Sequence, residues 1–262
     1  MDFKNKVVLI SGATGGMGNA LTREVAEAGA YLAIFARREQ QLQAIASDLG
    51  LDKDRCIYQR CDVTNLEDVK KAVNYTIKSF GRIDVAILTA GVLTPNPIQT
   101  LNSTIIKNSM EINFFGVVNF IEQLLPIMKK QHSGIIATTS TLPDRRGVPG
   151  WGAYGASKAA ISWFIESLRA EGKKRYNIDF ITIKPGSVLT PMIEEYHRRG
   201  AVSTEKAAIY IINGIKRGKK VIQFPLNQVI PIRFTDMFPA SVYDAQDIEM
   251  LKGDGYPDVT EE

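Results

Sequence analysis

The chain has few cysteines, histidines and tryptophans for its length. Its 262 residues include two of each. Cys56 and Cys61 lie close together in one apolar segment and suggest no disulfide framework, which fits a reducing cytoplasm. His132 and His197 show no metal-binding spacing, so we expect no metal site. These scarcities argue against a disulfide-stabilised secreted scaffold and against a histidine-based metal centre.

Long apolar runs and a strong net charge are also absent. No apolar stretch reaches the roughly 18 residues that indicate a transmembrane helix, and no signal-peptide pattern appears. The 32 basic and 28 acidic residues give a net charge of +4, which is too diffuse to indicate nucleic-acid binding. We therefore expect a cytoplasmic protein with no nucleic-acid partner and no membrane span.

Apolar segments of strand length alternate with helical patterns along the chain. The predicted strands cover residues 7–10, 31–36, 56–61, 85–88, 134–141, 179–183 and 221–225. This alternation is typical of a parallel sheet with right-handed crossovers and helices on both faces. No linker or repeat appears, so residues 1–262 are predicted to form a single doubly wound α/β domain. An apolar C-terminal extension begins at about 226, and a polar tail expected to be frayed begins at about 253.

Two helix ends carry recognisable capping signals. Gly29 follows a helical pattern and is expected to end the first helix. Thr64 and Glu67 have the spacing of a capping box, which predicts that Thr64 caps the helix after the third strand.

A glycine-rich turn follows the first apolar segment and leads into a helical pattern. Such a turn lets backbone approach a pyrophosphate, and the helix N-terminus adds free N–H groups and a positive dipole end. An ordinary tight turn is the alternative, but the apolar strand before it favours a nucleotide site. The residues predicted to contact a cofactor here are Gly12, Thr14, Gly15, Gly16, Met17 and Gly18.

Arg37 and Arg38 directly follow the second predicted strand. At this point of a dinucleotide fold, an acidic residue would bind the ribose hydroxyls of NAD, whereas an arginine accommodates the 2′-phosphate of NADP. The alternative is that both are solvated charges at a helix start. A positive charge interacts unfavourably with the positive end of the helix dipole, which argues against this alternative. We therefore predict NADP(H) as the cofactor.

Tyr154 and Lys158 are four residues apart and would share one face of a helix. A free phenol has a pKa of about 10, and a neighbouring positive charge lowers it. Such a pair can give and take protons near neutral pH. By itself the spacing is also that of an amphipathic tyrosine with a solvated lysine one turn on.

Together these motifs resemble the short-chain dehydrogenase/reductase family. The glycine pattern Gly12-x3-Gly16-x-Gly18 and the pair Tyr154-x3-Lys158 are about 140 residues apart in a chain of 262, as in that family. The resemblance covers roughly residues 5 to 225. It implies a Rossmann-like fold, a homodimer or homotetramer, and hydride transfer between a nicotinamide cofactor and a carbonyl compound or alcohol. NAD-preferring members carry Asp where this chain has Ala36.

The resemblance also assigns catalytic roles. Tyr154 would protonate the carbonyl oxygen, Lys158 would lower its pKa and hold the nicotinamide ribose, and Asn113 would hold a water of the proton relay. A hydroxyl that orients the oxygen usually lies 13 residues before the tyrosine, where this chain has Thr141. Ser140 lies 14 residues before it. We favour Ser140, brought into place by a one-residue bulge, and leave Thr141 as the alternative.

Further cofactor contacts follow from the same resemblance. Two departures, Leu88 and Thr89, replace the family's Asn-Asn before Ala90 and Gly91 and put the local anchoring of the strand in doubt. The resemblance implies that Asp62 and Val63 flank the adenine and that the small residues Ala90 and Gly91 leave room for the cofactor. In the element that begins with Pro185 and Gly186, it implies that Val188 and Thr190 hold the nicotinamide carboxamide.

The sequence predicts an NADP(H)-dependent oxidoreductase acting on a small, possibly lipophilic carbonyl compound or alcohol. A catalytically silent NADP-binding sensor or scaffold is the alternative, but it need not keep Asn113, Tyr154 and Lys158. A sugar-nucleotide epimerase shares the Tyr-x3-Lys pair but would need a larger C-terminal region. The extension after residue 225 could cap a lipophilic pocket, cover a subunit interface or touch a membrane.

Overall fold

Seven parallel strands form one sheet at the centre of the protein. The computed structural model describes residues 1–193 and 200–245, so His197 and the tail from about 253 lie outside the described residues. The sheet order is β3-β2-β1-β4-β5-β6-β7. The strands are β1 (Val7–Ser11), β2 (Tyr31–Ala36), β3 (Cys56–Arg60), β4 (Val85–Leu88), β5 (Gly134–Thr139), β6 (Ile178–Pro185) and β7 (Val221–Phe224). This order confirms the predicted doubly wound topology, because the chain moves outwards from β1 in one direction and then from β4 in the other.

Helices cover both faces of the sheet. They are α1 (Gly16–Glu27), α2 (Glu39–Asp48), α3 (Leu66–Phe80), α4 (Ser103–Met110), α5 (Gly116–Gln131), α6 (Gly152–Tyr176), α7 (Thr204–Lys216), α8 (Leu226–Thr235) and α9 (Ala240–Asp244). Side chains of α1, α2 and α7 share one apolar core, and those of α3, α5 and α6 share the other. Successive strand residues point to opposite faces, so Val8 and Ile10 enter the first core and Leu9 the second. Both faces of β1 are therefore buried, which explains its unbroken apolar run.

The two capping predictions have different outcomes. Gly29 follows the end of α1 with φ +79°, a left-handed conformation that suits glycine, as predicted. The Thr64 capping box is wrong. Asn65 caps α3 instead, because its side-chain oxygen accepts hydrogen bonds from the N–H groups of Glu67 and Asp68. The Thr64 hydroxyl donates to Asp62 Oδ1 at 2.8 Å.

A short π-helical turn, Glu111–Phe115, joins α4 to α5. Such turns are rare in proteins, and those that occur often lie at functional sites. This one contains Asn113, whose side chain is fully buried.

The C-terminal extension folds as α8 and α9. Helix α8 packs beside β7 but leaves three large apolar side chains exposed at intervals of four residues, namely Leu226, Ile230 and Phe234, and exposed Met237 follows the end of the helix. No helix in the described part of the chain is both long and apolar enough to cross a membrane.

Candidate active site

A cleft of about 740 Å³ lies at the carboxyl ends of the strands. Open parallel sheets bind ligands there, where the strand order reverses between β1 and β4. Every residue predicted to contact the cofactor, from Gly12 to Thr190, lines this cleft. We call the part lined by Gly12, Gly16 and Gly18 the glycine end, and the part lined by Tyr154 and Lys158 the tyrosine end.

Close backbone contacts shape the glycine end. Gly12 has φ +73°, and a Cβ atom there would lie 2.6 Å from the backbone N of Ala90. A Cβ atom on Gly18 would lie 2.2 Å from the carbonyl oxygen of Gly12. The turn therefore has no room for side chains at these two positions. No side chain caps the start of α1, so the N–H groups of its first turn are available to an anionic ligand.

Two exposed arginines border the cleft beside the glycine end. Arg38 donates to the Thr14 carbonyl oxygen at 2.9 Å and to the Thr14 hydroxyl at 3.2 Å, which ties β2 to the glycine-rich turn. Arg37 lies close enough to Asp62 to influence it. Partial burial opposes ionisation of Asp62, but hydrogen bonds from Thr64 and the charge of Arg37 leave the pKa of this carboxyl lowered. The cleft thus combines an uncapped helix start with a cationic border, and both features suit an anionic ligand.

Helix α6 carries Tyr154 and Lys158 on the face towards the cleft. Lys158 is only 3% exposed, and its Nζ donates to the Thr139 carbonyl oxygen at 2.9 Å. Its Nζ lies 5.8 Å from the centre of the Tyr154 ring. Tyr154 and Lys158 therefore share one face of α6, as predicted, and the Lys158 ammonium group donates to the backbone at the end of β5.

The pKa of the phenol differs from the sequence-based expectation. Burial raises the pKa of Tyr154 to about 12, and a hydrogen bond with Thr141 only partly opposes this rise. Burial also lowers the pKa of Lys158 to about 8. The structure thus does not show the lowering of the phenol pKa that the helical spacing predicts. Tyr154 is a neutral phenol at neutral pH, which is the form that donates a proton.

The two candidate hydroxyls at the end of β5 point in different directions. Thr141 lies within hydrogen-bonding reach of the Tyr154 phenol. Ser140 is fully buried, and its Oγ donates to the Lys158 carbonyl oxygen at 2.7 Å and lies 2.8 Å from Ser162 Oγ.

The expected bulge is absent from this stretch. The N–H groups of Ser140 and Leu142 bond to the carbonyl oxygens of Ile183 and Pro185, which continues the regular pairing with β6. Regular pairing sends consecutive side chains to opposite sides. The structure therefore does not place the Ser140 hydroxyl at the phenol, and Thr141 is the candidate hydroxyl within reach of it.

Asn113 connects three segments around Lys158. Its Oδ1 accepts from the Val92 N–H at 2.7 Å, and its Nδ2 donates to the Val92 carbonyl oxygen at 3.0 Å and to Ser157 Oγ at 2.9 Å. A Cβ atom on Gly91 would lie 3.0 Å from Asn113 Oδ1 and 3.2 Å from Lys158 Nζ. Gly91 thus leaves the space in which the amide and the ammonium approach each other.

Two contacts near the site were not identified from the sequence. Ser157, next to Lys158, accepts the Asn113 amide hydrogen bond. Thr89, noted only as a departure from the family pattern, donates from its hydroxyl to the Ser11 carbonyl oxygen at 2.7 Å. Thr89 therefore anchors the end of β4 to β1, and the doubt about local anchoring is resolved. No motif indicates these contacts, because their partners are distant in the chain or lie on the backbone.

Sequence comparison finds relatives across most of the chain. A family model described as short chain dehydrogenase matches residues 6–200. An uncharacterised oxidoreductase of Listeria monocytogenes is 36% identical over 195 residues, which are 74% of this chain and 79% of that protein. The 11-beta-hydroxysteroid dehydrogenase-like 3 of Arabidopsis thaliana is 36% identical over 237 residues, covering 86% of this chain and 76% of that protein. The 11-beta-hydroxysteroid dehydrogenase A of Sesamum indicum is 32% identical, covering 86% and 69%.

Solved structures share the fold at lower identity. A short-chain dehydrogenase/reductase from Burkholderia phymatum in complex with NAD superposes with a TM-score of 0.83 at 20% identity and covers 99% of this chain and 100% of that one. An alcohol dehydrogenase from the archaeon Thermococcus sibiricus, complexed with 5-hydroxy-NADP, gives a TM-score of 0.75 at 24% identity and covers 84% and 95%. At these identities the likeness concerns the fold alone.

Proposed function

Because this chain belongs to the short-chain dehydrogenase family of oxidoreductases, we propose that it is an NADP(H)-dependent enzyme that interconverts a ketone or aldehyde and an alcohol. One observation carries the proposal. The Tyr154 phenol, with Thr141 within hydrogen-bonding reach and buried Lys158 one helical turn on, faces the same cleft that Arg37 borders. A proton donor and a cationic dinucleotide site thus share one cavity.

The chain's own residues divide the chemistry between them. NADP(H), when bound, supplies or accepts the hydride. Tyr154 donates its proton to the carbonyl oxygen as that oxygen gains charge, and takes it back in the reverse direction. Thr141 orients the substrate oxygen through its hydroxyl. Lys158 has a pKa of about 8, so at neutral pH it carries a positive charge that stabilises a phenolate at Tyr154. Asn113 holds the nearby backbone of Val92.

The proposed substrate is a lipophilic carbonyl compound or alcohol. Two plant relatives are named as hydroxysteroid dehydrogenases. Exposed Leu189 and Met192 lie in the segment after β6, and Met192 lines the cleft.

We further propose a homodimer or homotetramer. Exposed Phe115 contacts Phe114, which contacts Phe164, and exposed Trp163 is the next residue along α6, so this apolar surface is one that a second copy could cover.

The proposal is tested by binding and turnover with both cofactors. NADPH should bind at least about tenfold more tightly than NADH, because a charge-assisted bond between arginine and phosphate contributes roughly 1.5–3 kcal/mol. Arg37→Ala should remove most of this preference, whereas Arg217→Ala, an exposed arginine at the end of α7, should leave it unchanged. Turnover should then be screened with NADPH across steroid, acyl, sugar and small aldehyde carbonyls.

Each outcome has a distinct meaning. Equal affinity for the two cofactors, or an unchanged ratio in Arg37→Ala, would overturn the NADP(H) assignment. Tight NADPH binding without turnover of any carbonyl would favour a silent sensor instead of an enzyme.

A further inference from the structure

The side chain of Gln228, in the first turn of α8, spans two backbone segments next to the cleft. Its Oε1 accepts a hydrogen bond from the Ser187 N–H at 2.8 Å, and its Nε2 donates to the Gly200 carbonyl oxygen at 2.8 Å. A primary amide has one accepting and one donating end, and these two partners determine which end faces which. A single side chain therefore links the loop after β6 to the segment before α7.

The same two segments also pair through their backbones. Leu189 donates to the Val202 carbonyl oxygen at 2.9 Å, and Val202 donates to the Ser187 carbonyl oxygen at 3.1 Å. This pairing forms a parallel bridge between Val188 and Val202. Val188 and Thr190 line the cleft, so the position of this short bridge sets where their atoms lie.

Gly186 leaves room for the amide. A Cβ atom on Gly186 would lie 2.0 Å from Gln228 Oε1, so the amide packs against the bare Cα of this glycine. Gly186 itself lines the cleft. The Gln228 amide thus lies directly behind the cleft wall, on the side away from the ligand space.

Helix α8 is held in place at its other end. Arg233 donates to Asp144 Oδ1 at 3.1 Å, to Asp236 Oδ2 at 2.8 Å and to Gln223 Oε1 at 2.8 Å. Asp144 is buried and also pairs with Lys184 of β6. Since α8 is anchored to β6, to β7 and to the loop after β5, Gln228 projects from a fixed support.

We propose that Gln228 is a positioning residue for the nicotinamide end of the cofactor, acting through Ser187 on Val188 and Thr190. The inference rests on the proposed function and on the family resemblance, which implies that Val188 and Thr190 hold the nicotinamide carboxamide. It gives the apolar C-terminal extension a role in the reaction, because α8 supplies the only side chain of the described residues that bridges Ser187 and Gly200.

The sharpest test is Gln228→Glu, which keeps the shape of the side chain, replaces its donor with an acceptor and adds one negative charge. A glutamate carboxylate can still accept from Ser187, but it faces the Gly200 carbonyl oxygen with an acceptor. Binding should be measured with NADPH and with 2′,5′-ADP, which lacks the nicotinamide half. The Kd for NADPH should rise by about tenfold, the equivalent of one or two hydrogen bonds, while the Kd for 2′,5′-ADP should stay within about twofold.

The pH dependence of this variant provides a second readout. A protonated glutamic acid can donate to Gly200, and the neighbouring carbonyl oxygen favours the protonated form. The defect in NADPH affinity, taken as a ratio to the wild-type protein, should therefore shrink as the pH falls from about 8 towards 5. Asn227→Asp is the matched control because it adds the same charge at the adjacent exposed position, and this variant should match the wild-type protein for both ligands.

A double-mutant cycle tests the contact with Gly186. Gly186→Ala should displace the Gln228 amide and weaken NADPH binding in the wild-type background. In the Gln228→Ala background the amide is absent, so the same change should have much less effect. Residues that act through one contact show this kind of non-additivity.

The outcomes separate the inference from the proposed function. A wild-type protein that binds neither NADPH nor NADH overturns both. If the wild-type protein binds and Gln228→Glu behaves like Asn227→Asp, only the role of Gln228 is overturned. Equal weakening of NADPH and 2′,5′-ADP binding together with a lower melting temperature would also overturn it, because Gln228 would then only stabilise the fold.

Discussion

At the glycine end of the cleft backbone atoms face the ligand space, whereas at the tyrosine end side chains from separate segments meet. Gly12 and Gly18 exclude side chains because a Cβ atom would collide with backbone. Thr141, Tyr154 and Lys158 instead come from the segment after β5 and from α6, and their neighbours come from the loop after β4 and the π-helical turn. The glycine end therefore depends on the absence of side chains, whereas the tyrosine end depends on which groups each of its side chains contacts.

This difference predicts different responses to mutation. At the glycine end a small added group should strain the backbone and reduce stability and binding together. At the tyrosine end a conservative change should leave the fold intact and affect one step of the reaction. The following predictions test this contrast, from the largest expected effect to the smallest.

Tyr154→Phe should fold and bind NADPH but lose turnover by about 10²–10⁴-fold, because it removes only the proton donor. Tyr75→Phe, at an exposed tyrosine of α3, is the matched control and should keep the wild-type rate. The measurement is kcat with a carbonyl substrate identified by the screen. A variant that keeps more than about a tenth of the wild-type kcat would show that Tyr154 is not the acid.

Gly12→Ala should destabilise the protein by about 4 kcal/mol, the sum of left-handed strain and overpacking against Ala90. Gly50→Ala is the matched control, since Gly50 has a similar positive φ of +62° but no atom within 4 Å of the added Cβ. Its cost should be only about 1–2 kcal/mol. Denaturant unfolding measures both values. Similar losses in the two variants would mean that strain alone, and not the contact with Ala90, explains the requirement for glycine.

Lys158→Met should stabilise the ligand-free protein at pH 7 by up to about 3 kcal/mol, although it abolishes turnover. Burial lowers the pKa of Lys158 from 10.5 to about 8, so below pH 8 folding confines a charge that the unfolded chain keeps in water. Between about pH 8 and 10.5 the folded protein loses this proton first, and the wild-type protein regains stability relative to the variant. Thermal unfolding from pH 7 to 10 should therefore show a shrinking difference. A constant difference over this range would contradict the lowered pKa.

Thr141→Ala should reduce kcat by about 10²-fold, as expected for losing one donor to the reacting oxygen. Ser140→Ala should have a smaller effect on kcat and should mainly reduce stability, because its hydroxyl bonds to the Lys158 carbonyl oxygen inside the protein. Both kcat and unfolding midpoints are needed for each variant. The opposite order of the two kcat values would mean that the serine moves to the substrate when ligands bind.

The fold and the site were predicted well from the sequence where the interactions that determine them join residues close together in the chain. The glycine pattern of residues 12–18 and the i, i+4 pair of Tyr154 and Lys158 each belong to one turn or one helix, so spacing alone places them. The strands were predicted to within about two residues because parallel strands buried on both faces are nearly continuous apolar runs.

The family spacing indicated Thr141, but the sequence could not show whether a bulge brings Ser140 into its place. Adjacent residues at a strand end point in opposite directions, so a shift of one residue exchanges their roles. Only the pairing of β5 with β6, which continues through Leu142, decides that Thr141 faces Tyr154. The pKa of Tyr154 depended on the tertiary structure for a similar reason, since burial outweighs the effect expected from helical spacing.

The amino-acid sequence by itself determined the doubly wound fold and the glycine-rich turn, because strand periodicity, glycine turns and helical spacing act over a few residues. The other residues that line the cleft were implied by the family resemblance. The tertiary structure alone decided that Gln228 supports Ser187 across 41 positions, and that Arg233 meets Asp144 across 89. These contacts follow no pattern along the chain. They depend on where α8 packs against β7, a position set by the arrangement of the whole sheet.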